Sequence, residues 1–133
     1  MDIRPCGSVP SRQAPAQYFT GTVWQDPVIE APNPPDGVRA TLVRFDPGAR
    51  TNWHTHPAGQ TLYILSGIGR VQSGDSKVRE VRAGDVVWFP PNVKHWHGAG
   101  PSTTMVHMAI TEVRNGKFVD WMEKVTDEQY KSA

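Results

Sequence analysis

The sequence predicts an all-β fold, a small antiparallel barrel or sandwich, closed by one short C-terminal helix. Three observations predict it. Short runs rich in β-branched and aromatic residues recur at a spacing of roughly 8–12 residues. Turn chemistry separates them: Asp46-Pro47-Gly48, Ser66-Gly67, Ser73-Gly74-Asp75, Ala83-Gly84-Asp85, Pro90-Pro91-Asn92 and Gly98-Ala99-Gly100-Pro101. Near the end, Thr126-Asp127-Glu128-Gln129 has the form of a capping box, in which Thr126 caps a helix and Gln129 reaches back to it.

Taken in order, residues 1–17 carry Pro5, Pro10 and Pro15 and read as an extended arm, docked on the barrel or on a partner subunit. Residues 18–133 read as a single domain. A first strand is expected over 19–24, and Ala-Pro-Asn-Pro-Pro-Asp-Gly (31–37) is a loop by its turn residues. Further strands are expected over 38–45, 50–56, 60–66, 69–73, 78–82, 85–89, 94–98 and 104–111, and a helix over 126–131. Phe118 to Trp121, just before the helix, are expected to pack on the outside of the barrel.

Composition narrows the function classes. With 133 residues the chain can bury one core, and 38% hydrophobic against 20% charged residues is a soluble, globular balance. Fourteen basic against thirteen acidic side chains leave a net charge of +1, so no basic excess exists to neutralise nucleic-acid phosphates. No run approaches the ~20 apolar residues of a membrane span. Met1 to Val9 lack the apolar centre of a secretory signal. Cys6 is the only cysteine, which excludes an internal disulfide and makes a reducing cytoplasm the default location. It lies in a Pro/Gly/Ser-rich arm without a neighbouring histidine and reads as inert.

The histidines carry the chemistry. All five (54, 56, 95, 97 and 107) fall between residues 54 and 107. Residues i and i+2 of a strand share a face, so His54 with His56, and His95 with His97, each project from one side of their strand. A lone strand histidine is usually a surface or hydrogen-bonded residue. Two His-x-His pairs in a barrel-like chain can converge on one metal ion. Leu62 and Ile64 share the face of Gln60, as in a half-buried strand. Trp53, Thr55 and Trp96 take the opposite face, so the outer surface is expected to be covered by a second sheet or another subunit.

The pattern resembles the two signature motifs of the cupin superfamily. The first runs Gly48, five residues, His54-Thr55-His56, three residues, Gln60, six residues, Gly67; the second runs Gly84, five residues, Pro90-Pro91-Asn92, two residues, His95. The resemblance implies a jelly-roll-like antiparallel β-barrel with one divalent metal per chain on His54, His56, Gln60 and His95. Three positions depart from the pattern: Gln60 replaces the usual Glu, Asn92 the usual Gly and Ala99 the closing Asn. Asn92 can take a left-handed turn at modest cost. A narrower resemblance is to the cupin-type, manganese-dependent hydroxynitrile lyases. It is carried by residues 48–62, 84–89 and 94–99 and by the tail Val119-Asp-Trp-Met-Glu-Lys-Val-Thr-Asp-Glu-Gln-Tyr (119–130). Those enzymes likewise place Gln at the fourth ligand position.

The implied reaction is the cleavage of an α-hydroxynitrile to an aldehyde or ketone and cyanide, or the reverse. Three imidazoles and one amide leave the ion its full charge, and the hard amide oxygen suits Mn²⁺ or Fe²⁺; the resemblance puts Mn²⁺ first and Fe²⁺ next. Zn²⁺, Ni²⁺ or Co²⁺ are ions that the affinity series would load on purification. His97, one step along the strand from His95, is the candidate general base. His107, on the face of Ala109 and Thr111, is a candidate either to donate to the leaving cyanide or to orient a neighbouring site residue. Thr41, Val43, Thr51 and Thr111 are the candidate pocket residues for a small-molecule substrate. The rival readings are an Fe²⁺-dependent cupin dioxygenase and a non-catalytic small-molecule-binding cupin. The Trp-bearing outer faces and the arm point to a homo-oligomer, a dimer or tetramer.

Overall fold

The computed structural model describes residues 1–30 and 36–132; most of the expected loop 31–37 lies outside them. Among the described residues twelve strands follow in chain order: β1 (Arg12–Gln13), β2 (Phe19–Thr20), β3 (Val23–Ile29), β4 (Gly37–Phe45), β5 (Arg50–Thr51), β6 (His54–Thr55), β7 (Gln60–Ser73), β8 (Arg79–Arg82), β9 (Val86–Phe89), β10 (His95–Ala99), β11 (Met105–Val113) and β12 (Asp120–Trp121). One helix, α1 (Asp127–Lys131), closes the chain. The main path of the curled sheet runs β1-β3-β4-β11-β7-β10-β5-β2, with antiparallel neighbours throughout. The all-β jelly-roll-like barrel expected from the sequence is the fold.

The long strand β7 makes the curl. Its first part, Gln60–Tyr63, pairs with β9 on one side and β11 on the other. Its second part, Ile68–Ser73, pairs with β8 and β10. The two strands expected over 60–66 and 69–73 are therefore one. Ser66-Gly67 has the chemistry of a turn, but Gly67 (φ 78°) lets the strand bend without ending. A Cβ at that position would overlap the Thr104 carbonyl oxygen, so only glycine fits.

Other boundaries shift for similar reasons. The strand expected over 19–24 divides at Gly21 (φ 80°) into β2 and β3. The strand expected over 50–56 is two short pieces. Between them the backbone N–H of Asn52 bonds to Tyr18 O and that of Trp53 to Glu123 O, outside either strand's ladder. Asn92 takes the left-handed conformation (φ 63°) that its motif position requires. The arm ends in β1, which pairs Arg12 and Gln13 with Gln25 and Trp24.

Two apolar clusters fill the molecule. The inner one holds Val23, Phe45, Leu62, Ile64 and Met105, all sealed from solvent. Each such side chain contributes roughly 1.5–3 kcal/mol by leaving water. The outer one joins Trp53, Val78 and Trp96 to Val125 and Tyr130. The outer face of these tryptophans is thus covered by the chain's own C-terminal segment, where a second sheet or another subunit was expected. Thr126 and Gln129 form the capping box that starts α1. The helix presents Tyr130 inward, and its hydroxyl donates to Ala99 O at 2.6 Å. Arg50 binds the segment too, donating to Val125 O at 2.8 Å and to Asp127 at 2.7 Å.

Candidate metal centre

Strand register brings the histidines together. β6 and β10 are antiparallel neighbours with His54 directly opposite His95, so the two His-x-His pairs face one another. The His54 and His95 ring centroids lie 4.2 Å apart, and His56 lies 5.0 Å from His54 and 5.3 Å from His95. The His56 backbone is pinned because its carbonyl accepts from Gly59 N at 3.1 Å and Asn92 N at 3.0 Å. Phe89 stacks on His95 at 3.7 Å and fixes that ring's plane.

Hydrogen bonds determine which nitrogen is free. A carbonyl oxygen only accepts, so an imidazole nitrogen bonded to one carries the hydrogen. His54 Nδ1 bonds Asn52 O at 2.8 Å, His56 Nδ1 bonds Phe118 O at 2.6 Å, and His95 Nδ1 bonds Val93 O at 2.8 Å. Each Nε2 is therefore left with a bare lone pair. Such carbonyl bonds orient metal-binding histidines. Gln60 donates from Nε2 to Thr111 Oγ1 at 3.2 Å, which fixes its amide and leaves Oε1 as an acceptor. Among the described residues, Nε2 of His56, His95 and His97 and Oε1 of Gln60 are buried without a partner.

Unpaired buried polar atoms cost about 1–3 kcal/mol each. Several facing one cavity mark a place where something binds, and neutral nitrogen and oxygen donors fit a divalent metal ion. Two donor sets overlap here. The ligand atoms of His54, His95 and His97 lie within 4.8 Å of one another. His56 and Gln60, with His54 and His95, form the set that the motif implies. The sets differ in what holds each ring, since His97 Nδ1 bonds another imidazole, His107 Nε2, at 3.0 Å rather than a carbonyl.

The electrostatics keep every ring neutral. Burial lowers the pKa of His95 and of His107 to about 3. Burial, then the neighbouring imidazoles, holds His54 and His97 well below the ordinary value. His56 is lowered by burial as well, offset by its bond to the Phe118 carbonyl. Neutral imidazole is the form that binds a metal or accepts a proton.

A cavity of about 70 Å³ adjoins His54, His56, Gln60, His97 and His107. Thr41, Val43, Thr51 and Thr111 all line it, and His95 sits behind His54. Thr51 Oγ1 also accepts from His97 N at 3.3 Å, tying the pocket wall to β10. Phe118, Val119 and Trp121 line the cavity too, so this stretch faces the cavity and does not pack on the barrel exterior. β12 draws them there by pairing with β6, and Trp121 packs on His54 at 4.7 Å between ring centroids. Sequence reading missed Arg39, which also lines the cavity. It lies two residues before Thr41 on β4, so strand alternation carried one step further would have found it.

Comparison with known proteins agrees with this geometry. The family model described as a cupin domain matches residues 41–111. A relative from Granulicella tundricola, named (R)-mandelonitrile lyase, is 55% identical over 131 residues, covering 98% of this chain and 99% of its own. The crystal structure of a cupin-like protein from Thermotoga maritima superposes with a TM-score of 0.86 at 38% identity, covering 100% of this chain and 97% of that one. The fold is also shared with KdgF from Halomonas sp., at a TM-score of 0.66 and 18% identity, covering 86% of this chain and 96% of that one. The convergent imidazoles on β6 and β10, the curled barrel around them and these matches make this chain a member of the cupin domain family.

Proposed function

We propose that the protein is a metal-dependent lyase that cleaves α-hydroxynitriles to an aldehyde or ketone and cyanide, and forms them in reverse. The observation that carries this reading is the set of buried donor atoms left without a partner, Nε2 of His56 and His95 and Oε1 of Gln60, with the equally unpartnered Nε2 of His97 beside them. The relative named (R)-mandelonitrile lyase, which matches along nearly the whole chain, supports the choice of reaction.

In this reading His54, His56, Gln60 and His95 hold one ion, Mn²⁺ by preference and Fe²⁺ next. Their donors are all neutral, so nothing in the ligand set cancels the ion's charge. When bound, the ion supplies Lewis acidity that lowers the pKa of a substrate hydroxyl. His97 Nε2 accepts the hydroxyl proton. For that lone pair to be free, His97 Nδ1 must carry the hydrogen and donate it to His107 Nε2. The O–H electron pair becomes the second bond of the carbonyl as the C–C bond breaks. Its pair leaves on cyanide, which takes the proton back from His97 and departs as hydrogen cyanide. Thr41, Val43, Thr51 and Thr111 shape the wall against which the substrate sits, and the aromatic mouth at Phe118 and Trp121 limits water.

The test is cyanide release from mandelonitrile by the Mn²⁺-loaded protein. Turnover is expected, and it should disappear in metal-free protein and in H97A. Retention of turnover in both would sink the proposal. Oxygen consumption by iron-loaded protein on diketones, phenols or flavonols would favour a dioxygenase instead.

A further inference from the structure

The cavity contains a charged group that the proposed chemistry leaves unused. Arg39, Thr41 and Val43 alternate along β4 toward the interior, with Arg39 nearest the strand's start. Arg39 is paired across the sheet with Thr111, whose hydroxyl accepts from Gln60. Among the cavity's described lining residues it is the one carrying a charge, since burial keeps the histidines neutral.

Its guanidinium is held, but in no ion pair among the described residues. The Phe118 ring lies 4.4 Å beneath it, and Nη1 donates to the Glu30 carbonyl at 3.0 Å. The acidic side chains close by are engaged elsewhere: Glu30 pairs with Arg12 at 2.7 Å, and Asp36 accepts from Asn115 N at 2.6 Å. Residues 31–35 contain no acidic side chain. Among the described residues Arg39 forms no ion pair, and its remaining N–H groups have no acceptor. Partial burial lowers its pKa, and the nearby Glu30 carboxylate, shared with Arg12, offsets this only in part. A stacked arginine whose remaining N–H groups meet no acceptor among the described residues is suited to a planar carboxylate. The same phenylalanine positions both ends of such a molecule, because its ring supports Arg39 and its carbonyl orients His56.

We propose that Arg39 is a specificity-determining residue: it binds a carboxylate at the cavity mouth, so the natural substrate carries an acid group remote from the oxygen presented to the histidines. The inference rests on the reading of this cavity as the substrate site and names the substrate class within it. A lone guanidinium in a neutral, aromatic mouth matches a monoanion better than a doubly charged phosphate, which needs more donors. The separation also constrains the molecule. Arg39, Thr111 and Gln60 sit on three adjacent strands about 4.8 Å apart, so a chain of a few carbons spans acid to carbonyl.

The test compares levulinate with 2-pentanone, two five-carbon ketones that differ in a distal carboxylate. Binding to Mn²⁺-loaded protein is measured by calorimetry. Levulinate is expected to bind about tenfold or more tightly, a margin that R39Q should erase. Equal binding by the native protein, or a levulinate advantage that survives in R39Q, would overturn the proposal; the second result would mean the carboxylate binds the ion instead. If R39Q does not fold, R39K serves. It keeps a cation without the planar fork, and its levulinate advantage should fall several-fold; an undiminished advantage overturns the proposal. Cyanide release from mandelonitrile is scored separately. A protein that prefers levulinate through Arg39 yet releases no cyanide retains this subsite and loses the lyase reaction.

Discussion

His107 Nε2 sits 3.0 Å from His97 Nδ1, and both imidazoles are sealed inside the barrel. The pair couples the proposed base to a second ring that touches neither β6 nor the motif ligands through a hydrogen bond. H97A is expected to lose about 10²–10⁴-fold in cyanide release, the usual worth of a positioned base. H107F keeps the bulk but removes the acceptor, and should cost less, about 10–100-fold. Metal content measured on both proteins separates the roles: H107F should load normally while its kcat falls.

Thr111 bears on the proposed centre through Gln60. Its hydroxyl accepts from the amide Nε2 and leaves Oε1 buried without a partner. T111V keeps the shape and removes the acceptor, leaving the amide free to turn. Metal affinity should weaken about 10–100-fold, read by competition with a chromophoric chelator. Q60E should instead tighten binding, because a carboxylate adds charge to the ligand set.

Stability without metal should depend on pH with a defined sign. His95 and His107 titrate near 3 in the folded state, because burial opposes the charged ring. The unfolded chain protonates them near 6.5. Below about 6.5 the unfolded state therefore binds more protons, and stability falls as pH drops toward 3. Each histidine can contribute up to about 1.4 kcal/mol per pH unit. Thermal melts of metal-free protein across this range should show a steady loss of Tm; a flat profile would contradict the burial argument.

The C-terminal segment is expected to act as a structural latch. Trp96 is fully buried against Tyr130, Val125 and Trp53. W96A should cost about 3–5 kcal/mol. Y130F removes only the hydroxyl bond to Ala99 O and should cost about 1–3 kcal/mol. Denaturant unfolding of the two variants checks the order.

Much of this protein is legible in its chain. Alternation and turn residues announce an all-β barrel because a strand's two-residue period and a turn's special φ angles are local properties. The capping box at Thr126 and the left-handed Asn92 are local in the same sense. The shared face of each His-x-His pair follows from strand geometry alone. Local signals failed where a single residue has two uses. Gly67 reads as a turn, yet it bends one continuous strand, because its role depends on Thr104 lying against it.

The tertiary structure decided the rest, since it depends on which distant segments meet. The pairing of His54 with His95 sets the distances between rings, and no spacing in the sequence contains that register. Residues 118–121 look like outer packing until β12 pairs with β6 and brings their aromatic rings to the cavity mouth. Arg39 looks like a surface strand arginine until Phe118 stacks beneath it. The sequence by itself determined the fold class and the side chains available for chemistry. Long-range pairing determined which lone pairs lost their partners, because burial without a hydrogen bond is a property of the folded barrel and of no segment within it.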